Sequence, residues 1–189
     1  MTERIQNYHR EPAKRVFAAE MRDAHHSFRV GDDEKSPTYI LLPTGERCNR
    51  VFIVGTLTQK EKRGEQHSMY LVRVADPSGT FFVSAGSYQP EAMQQVAKIE
   101  PPAFVAVVGK PNAYETPDGK VLISIRAETV TPVDQDIRNL WVLDAALATL
   151  DRIDAFGDGE DGEKARAEYN PNLESYKKMV YDALTAIRQ

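Results

Sequence analysis

Five apolar, β-prone stretches lie between Arg50 and Arg126, three of them alternating apolar and polar residues with a period of two, and the rest of the chain is read around them. The first run is RVFIVGTLT (50–58), followed by a charged loop, QKEKRGEQH (59–67). In the second run, SMYLVRVAD (68–76), Tyr70, Val72 and Val74 alternate with Met69, Leu71 and Arg73. In the third, TFFVSAGS (80–87), Phe81, Val83 and Ala85 alternate with Thr80, Phe82 and Ser84. A short helix signal, PEAMQQVAKI (90–99), ends at Pro101 and Pro102, where the fourth run begins, PAFVAVVG (102–109). The fifth, KVLISIRA (120–127), sets Val121, Ile123 and Ile125 against Leu122, Ser124 and Arg126. β-branched and aromatic residues at period two are the mark of half-buried strands. Asp76-Pro77-Ser78-Gly79 predicts a hairpin turn, with φ fixed by Pro and positive φ tolerated by Gly. Gly55 predicts a bulge or a close backbone approach, which a small barrel needs in order to curl. The order β-β-β-α-β-β predicts a mainly β fold with α extensions: a five-stranded OB barrel, an architecture that commonly binds oligonucleotides.

The flanks divide by the same reasoning. Residues 1–37 read as an N-terminal extension: a mobile polar arm over 1–13, an ambiguous stretch over 14–29, and a solvated loop from Gly31 to Pro37. Over 14–29 Ala, Glu, Met and Arg favour a helix, while Val16, Phe17 and Phe28 suit an added strand. Thr38–Leu42 predicts a short strand and Pro43-Thr44-Gly45 a turn into the barrel, giving an OB domain over 38–133. A helix is predicted over 134–156, with Asp134 or Asp136 as its cap. Ile137, Leu140, Leu143, Leu147 and Leu150 form one stripe on it, with Trp141 on the flank. That stripe packs either on its own domain or on another subunit. Residues 157–170 read as an acidic glycine linker, and 171–189 as a terminal helix with Asn170 as cap and Pro171 at its first position. Leu173, Tyr176, Val180, Leu184 and Ile187 give the last helix an apolar stripe of its own.

Composition narrows the function classes. The formal net charge of −4 is unevenly spread. Residues 48–133 carry nine Lys and Arg against eight Asp and Glu, whereas 134–189 carry seven against twelve. The barrel is therefore close to neutral, so any nucleic-acid contact depends on where its cations stand. Cys48 is the single cysteine, expected as a small buried hydrophobe, and it allows no internal disulfide. No apolar run approaches eighteen residues and the first twelve residues lack a signal-peptide core, so a cytoplasmic protein is expected. His25 and His26 are adjacent, point apart and have no third partner at ligand spacing, so no metal or cofactor is expected. Gly157 and Gly162 have phosphate-loop spacing, but Glu163 stands where that loop needs Lys, and the segment lacks the alternating acids of a calcium loop. No Gly-x-Ser-x-Gly or His-Glu-x-x-His is present, and His67 with Glu65 lacks a third member; the chain is not expected to be an enzyme.

A barrel that holds single strands stacks bases on aromatic rings and follows phosphates with cations. Phe82 and Arg73 share the outward register of the second and third runs. Tyr88 follows the third run, and Tyr114 stands at the entry of the loop containing Pro117-Asp118-Gly119. Lys60, Lys62 and Arg63 lie between the first two runs, where such barrels grip a backbone; Lys110, Lys120 and Arg126 complete the candidate cations.

From Tyr39 to Ile153 the chain resembles the archaeal replication protein A-associated family. The resemblance rests on TYILLPTGERCNRVFIVGTLT, VADPSGTFFVSAGSYQPE, EPPAFVAVVGKP, SIRAETVTPVD and RNLWVLDAALATLDRI. More distantly it is similar to the middle subunit of eukaryotic replication protein A, one OB barrel followed by a helix. The resemblance implies a single-stranded DNA-binding subunit acting in replication and repair. It also implies a hetero-oligomer in which a larger subunit is met through the stripe from Ile137 to Leu150. Tyr114 corresponds to a base-stacking loop aromatic. The second stacking aromatic falls near Gly86, so either Phe82 or Tyr88 takes its place or the DNA contact is weaker. The alternative function is a scaffold that stabilises a larger DNA-binding subunit. Whether the strand is DNA or RNA is left open by the residues.

Overall fold

The computed structural model of the chain describes residues 10–32 and 36–188. In chain order the elements are α1 (Ala18–Asp23), β1 (His26–Arg29), β2 (Thr38–Leu41), β3 (Arg47–Cys48), β4 (Val51–Arg63), β5 (Met69–Asp76), β6 (Gly79–Gly86), α2 (Pro90–Lys98), β7 (Ala103–Glu115), β8 (Val121–Pro132), α3 (Gln135–Asp154), α4 (Gly159–Tyr169) and α5 (Leu173–Ala186).

The five predicted strands close a barrel in the order β4-β5-β6-β8-β7. β4 is long enough to serve two neighbours: Val51 to Leu57 pair with β7, and Thr56 to Arg63 pair with β5. Its curl is set by a register shift between Leu57 and Gln59 and by Gly55, where a Cβ would stand 2.3 Å from the Ala75 carbonyl oxygen. A short parallel pairing of β6 with β8, at Val83–Ile125 and Ser84–Arg126, completes the ring. The inward register fills the core with Ile53, Leu57, Val74, Phe81, Val107 and Ile125, all essentially inaccessible. α2 lies between β6 and β7 in sequence and closes one end of the barrel through Ala92 and Val96.

Two strands run further than their apolar patterns predict. The charged stretch 59–63 continues β4, and β7 continues to Glu115. Lys60, Lys62, Arg63 and Tyr114 therefore stand on strands rather than in loops, because paired backbone tolerates polar side chains on a solvated face.

The N-terminal stretch is built into the fold. Lys14 exchanges backbone hydrogen bonds with Arg50 and Phe52, at 2.9 Å each. The ambiguous segment 14–29 contains both of its candidate elements, α1 and then β1. Asp76 in the β5–β6 turn accepts from the α1 backbone at Ala18 N (2.8 Å), and Ser78 Oγ accepts from Ala19 N (3.0 Å). β2 does not feed the barrel sheet; it pairs with β1 and β3 in a separate three-stranded sheet. Of the polar arm expected over 1–13, residues 1–9 lie outside the described residues, and Glu11 accepts a hydrogen bond from Tyr39 Oη. Residues 33–35 of the expected loop and Gln189 of the expected terminal helix also lie outside them.

Within the acidic segment 157–170, Gly159–Tyr169 form a helix rather than a linker. One of its carboxylates is tied down: Arg47 Nε donates to both oxygens of Asp161, at 2.8 and 2.7 Å. Glu160 and Asp161 also lie in the first turn, where the helix dipole favours negative charge. Gly162 abuts Gly157 so closely that a Cβ there would meet backbone at 2.7 Å. α4 ends at Asn170 in the left-handed conformation, φ 40°, so Asn170 is the end of one helix and not the cap of the next. Asn172 caps α5, accepting from Ser175 N. α5 packs on α3, burying Tyr176, Val180 and Ala183.

At the centre of these additions lies a buried ion pair. Arg152 of α3 donates through Nη2 to both carboxylate oxygens of Glu20 in α1, each at 3.0 Å. Thr44 Oγ1 (2.7 Å) and Thr149 Oγ1 (3.1 Å) donate to the same carboxylate, as does the backbone N–H of Phe17 (2.9 Å). Three separate stretches of chain, at 17–20, 44 and 149–152, meet on one carboxyl group. Cys48 is fully buried, and burial pushes its thiol up to about 12, so it is an inert hydrophobe as expected.

Candidate nucleic-acid interface

The outward register of the barrel strands assembles one polar-aromatic face. Across β4, β5 and β6 the Cα partners Gln59–Arg73 and Arg73–Phe82 run in a row, and Glu61–Leu71 and Leu71–Ser84 form the next. Through β8 the second row continues from Ser84 to Arg126, and then to Lys110 on β7. Beside that last pair stand Asn112–Ser124 and Tyr114–Leu122. On β5, β6 and β8 these residues alternate with core residues, so the register that fills the barrel also fixes this face.

A groove of about 230 Å³ lies at its centre, lined by Arg73, Phe82, Ser84, Ser124, Leu71 and Arg63 among others. Phe82 is 50% exposed, a large apolar ring held in the open. The Arg73 guanidinium sits 5.6 Å from the centroid of that ring. A flat cation over an aromatic face is itself a stacking platform for a base. At the rim, Glu61 accepts from Arg63 at 3.0 Å, and this hydrogen bond and the Arg63 charge lower the carboxyl pKa below its ordinary value. That pair offsets part of the positive charge on the β4 side.

The other expected binding residues divide. Lys110 and Arg126 are cross-strand partners and line a second cavity on the same face, with Asn112. Tyr114, 57% exposed, stands on this face opposite Leu122, two residues along β7 from Asn112. Tyr88 is 90% exposed in the turn after β6 and lines neither cavity. Lys60 does not face the groove. Its ammonium donates to the carbonyls of Ala97 (3.1 Å) and Ile99 (2.7 Å) at the end of α2 and to Glu100 (3.1 Å), capping that helix. Lys62 shares the strand side of Lys60, since Gln59, Glu61 and Arg63 are the β4 residues that line the groove. Lys120 lies in the exposed β7–β8 turn. Ser84, Ser124, Gln59 and Asn112 were not singled out in the sequence, although the alternation that exposes Phe82 and Arg126 also exposes the two serines.

The α3 stripe also divides. Ile137, Leu140, Leu143 and Leu147 are exposed, whereas Leu150 is half-buried against the core. Trp141 is not a surface residue: it is 2% exposed, edge-on to Phe17 at 5.7 Å, and its Nε1–H donates to the Phe52 carbonyl at 2.9 Å. Residues three and four apart share a face, so the buried Trp141, Val142, Ala145 and Ala146 hold one side of α3 to the barrel while Ile137, Leu140, Leu143 and Leu147 stay on the side left open.

No family model matches the chain, and no curated protein matches it in sequence. Among solved structures, it is similar to a chain of the S. pombe Stn1–Ten1 complex, at 13% identity and a TM-score of 0.61, over 76% of this chain and 96% of that one. That likeness confirms the OB fold with its helical additions. Looser matches include the second single-stranded DNA-binding protein, SSBb, of Mycobacterium smegmatis (21% identity, TM-score 0.39, 45% of this chain and 86% of that one). Another is the N-terminal domain of PriB from Thermoanaerobacter tencongensis (19% identity, TM-score 0.33, 46% of this chain and 97% of that one). No helix among the described residues is long and apolar enough to cross a membrane.

Proposed function

We propose that this chain is a single-stranded DNA-binding subunit of a replication protein A-like complex, acting in DNA replication and repair. The observation that carries the reading is Phe82 held half-exposed in a groove under the Arg73 guanidinium. An entering base takes the place of Arg73 on the ring or stacks on the outer side of the guanidinium. Either way a cation stays beside the flanking phosphate. Ser84 and Ser124 supply hydroxyls next to the stack. Arg73, Lys110 and Arg126 have no acidic partner among the described residues, unlike Lys60 and Arg63. Two neutralised phosphates on a single strand, one beside Arg73 and one beside the Lys110 and Arg126 side chains, correspond to a salt slope of roughly −1.5.

The open stripe of α3 supports a second element of the proposal, that the larger subunit of such a complex seats on Ile137, Leu140, Leu143 and Leu147. The S. pombe chain of the same fold belongs to a two-protein complex, in keeping with an unpartnered helix face here. A scaffold role with little DNA contact is the alternative, favoured by the Glu61–Arg63 pair at the groove rim. Fluorescence anisotropy with labelled oligo-dT separates the two. Phe82→Ala and Arg73→Gln each weaken binding about ten-fold if the groove holds the strand, given stacking worth ~1–3 kcal/mol per base. Wild-type protein that leaves oligo-dT free even at low salt shows instead that the scaffold reading is right.

A further inference from the structure

Resting on the single-strand reading, we propose that the N-terminal extension walls a phosphate subsite at the far end of the track, in the cavity between the segment Ser36–Thr38 and the Lys110–Arg126 pair. This cavity has a volume of about 220 Å³ and is lined by Lys110, Arg126, Asn112, Asn49, Thr38 and Ser36. Two cations, two amides and two hydroxyls converge on it, and no carboxylate lines it among the described residues. Glu128, the acid nearest along β8, is held away by Arg50, whose Nε donates to it at 2.8 Å. An uncompensated cation pair beside neutral donors is the setting that takes a phosphodiester oxygen pair: Arg126 presents a planar fork, Lys110 a point charge.

The position agrees with the groove. Ser124 lines the Phe82 groove, and its cross-strand partner Asn112 lines the phosphate cavity. Arg73, Phe82, Ser124 and Asn112 thus stand on β5, β6, β8 and β7, strands adjacent in the barrel. Three strand spacings separate the ends, about 14 Å. A strand that stacks a base on Phe82 and runs across the sheet reaches the cavity with its backbone. The barrel alone would leave Lys110 and Arg126 on an open surface; the opposite wall comes from Ser36, Pro37 and the first residue of β2, Thr38. The extension therefore acts on DNA binding directly and sets how long a strand the protein covers.

The test is anisotropy with oligo-dT of about 4 and about 12 nucleotides, lengths within the range one such barrel takes, over a series of salt concentrations. The proteins are wild type, Lys110→Gln/Arg126→Gln, Thr38→Glu and Phe82→Ala, each checked for an unchanged melting temperature. Expected are two losses with the longer strand: the double variant lowers the salt slope by about one, and Thr38→Glu, which puts a carboxylate into the wall, weakens binding several-fold. Both variants hold the short strand as wild type does, whereas Phe82→Ala weakens both lengths. A double variant with wild-type slope and affinity on the longer strand, while Phe82→Ala still weakens it, overturns the subsite and leaves the groove intact. Wild-type protein that binds neither strand overturns both.

Discussion

At the scale of single residues, the outward alternates of the core positions carry the account. Period two alone placed Phe82 and Arg73 on a common face, and the structure sets the guanidinium over the ring. The same alternation did not show that Lys60 is occupied. Its carbonyl contacts come from the end of α2, which the chain brings back from nearly forty positions away. Gly86 is informative in the opposite sense. It pairs with Met69 on the groove face, and a Cβ there would meet only Met69 Cβ, at 3.8 Å. There is room for a side chain where the resemblance leads one to look for an aromatic. Gly86→Trp adds a second platform on the same face as Phe82, beyond Ser84, and oligo-dT affinity should rise by about five-fold or more, since one stacked base contributes ~1–3 kcal/mol. Titration of the variant by anisotropy checks this; unchanged affinity would place the strand away from the β5–β6 end of the face.

At the scale of elements, helix and strand identities were legible where the apolar period was strong, and illegible where side chains from distant stretches satisfied charge. α3 follows from its stripe and from Asp134, which caps it by accepting from Ile137 N at 2.9 Å. α4 has almost no apolar stripe, and its acids read as solvated; it forms because Arg47, over a hundred positions earlier, binds Asp161. The two sides of α3 differ in kind, and the difference is measurable. Trp141→Ala removes a buried indole and leaves the Phe52 carbonyl without its donor, and should destabilise the chain by about 3–5 kcal/mol. Leu147→Ser, on a residue 63% exposed, should change stability by no more than about 0.5 kcal/mol. Denaturant melts of the isolated chain test this pair. If Leu147→Ser costs as much as Trp141→Ala, the stripe is already covered by the chain itself and is no docking face.

At the scale of the whole molecule, the extensions and the barrel are one structure. The sequence presents residues 1–37 and 134–189 as additions to an OB domain, because ion pairs between segments leave no periodic trace. Glu20, Thr44, Thr149 and Arg152 join them in the interior. Arg152→Met strands the Glu20 carboxylate in a buried site and should cost about 3–5 kcal/mol, and adding Glu20→Gln should recover part of that loss. Thermal denaturation of the single and double variants reads both effects; a single variant as stable as wild type would mean that the carboxylate finds other donors. The central claim is that single-stranded DNA lies across the outer barrel face, and amide chemical-shift mapping during titration with oligo-dT tests it most directly. The account predicts shifts concentrated at Leu71, Arg73, Phe82, Ser84, Asn112 and Ser124, with α5 and the α3 stripe unmoved. Shifts confined to α3, or none at any strand concentration, would contradict it.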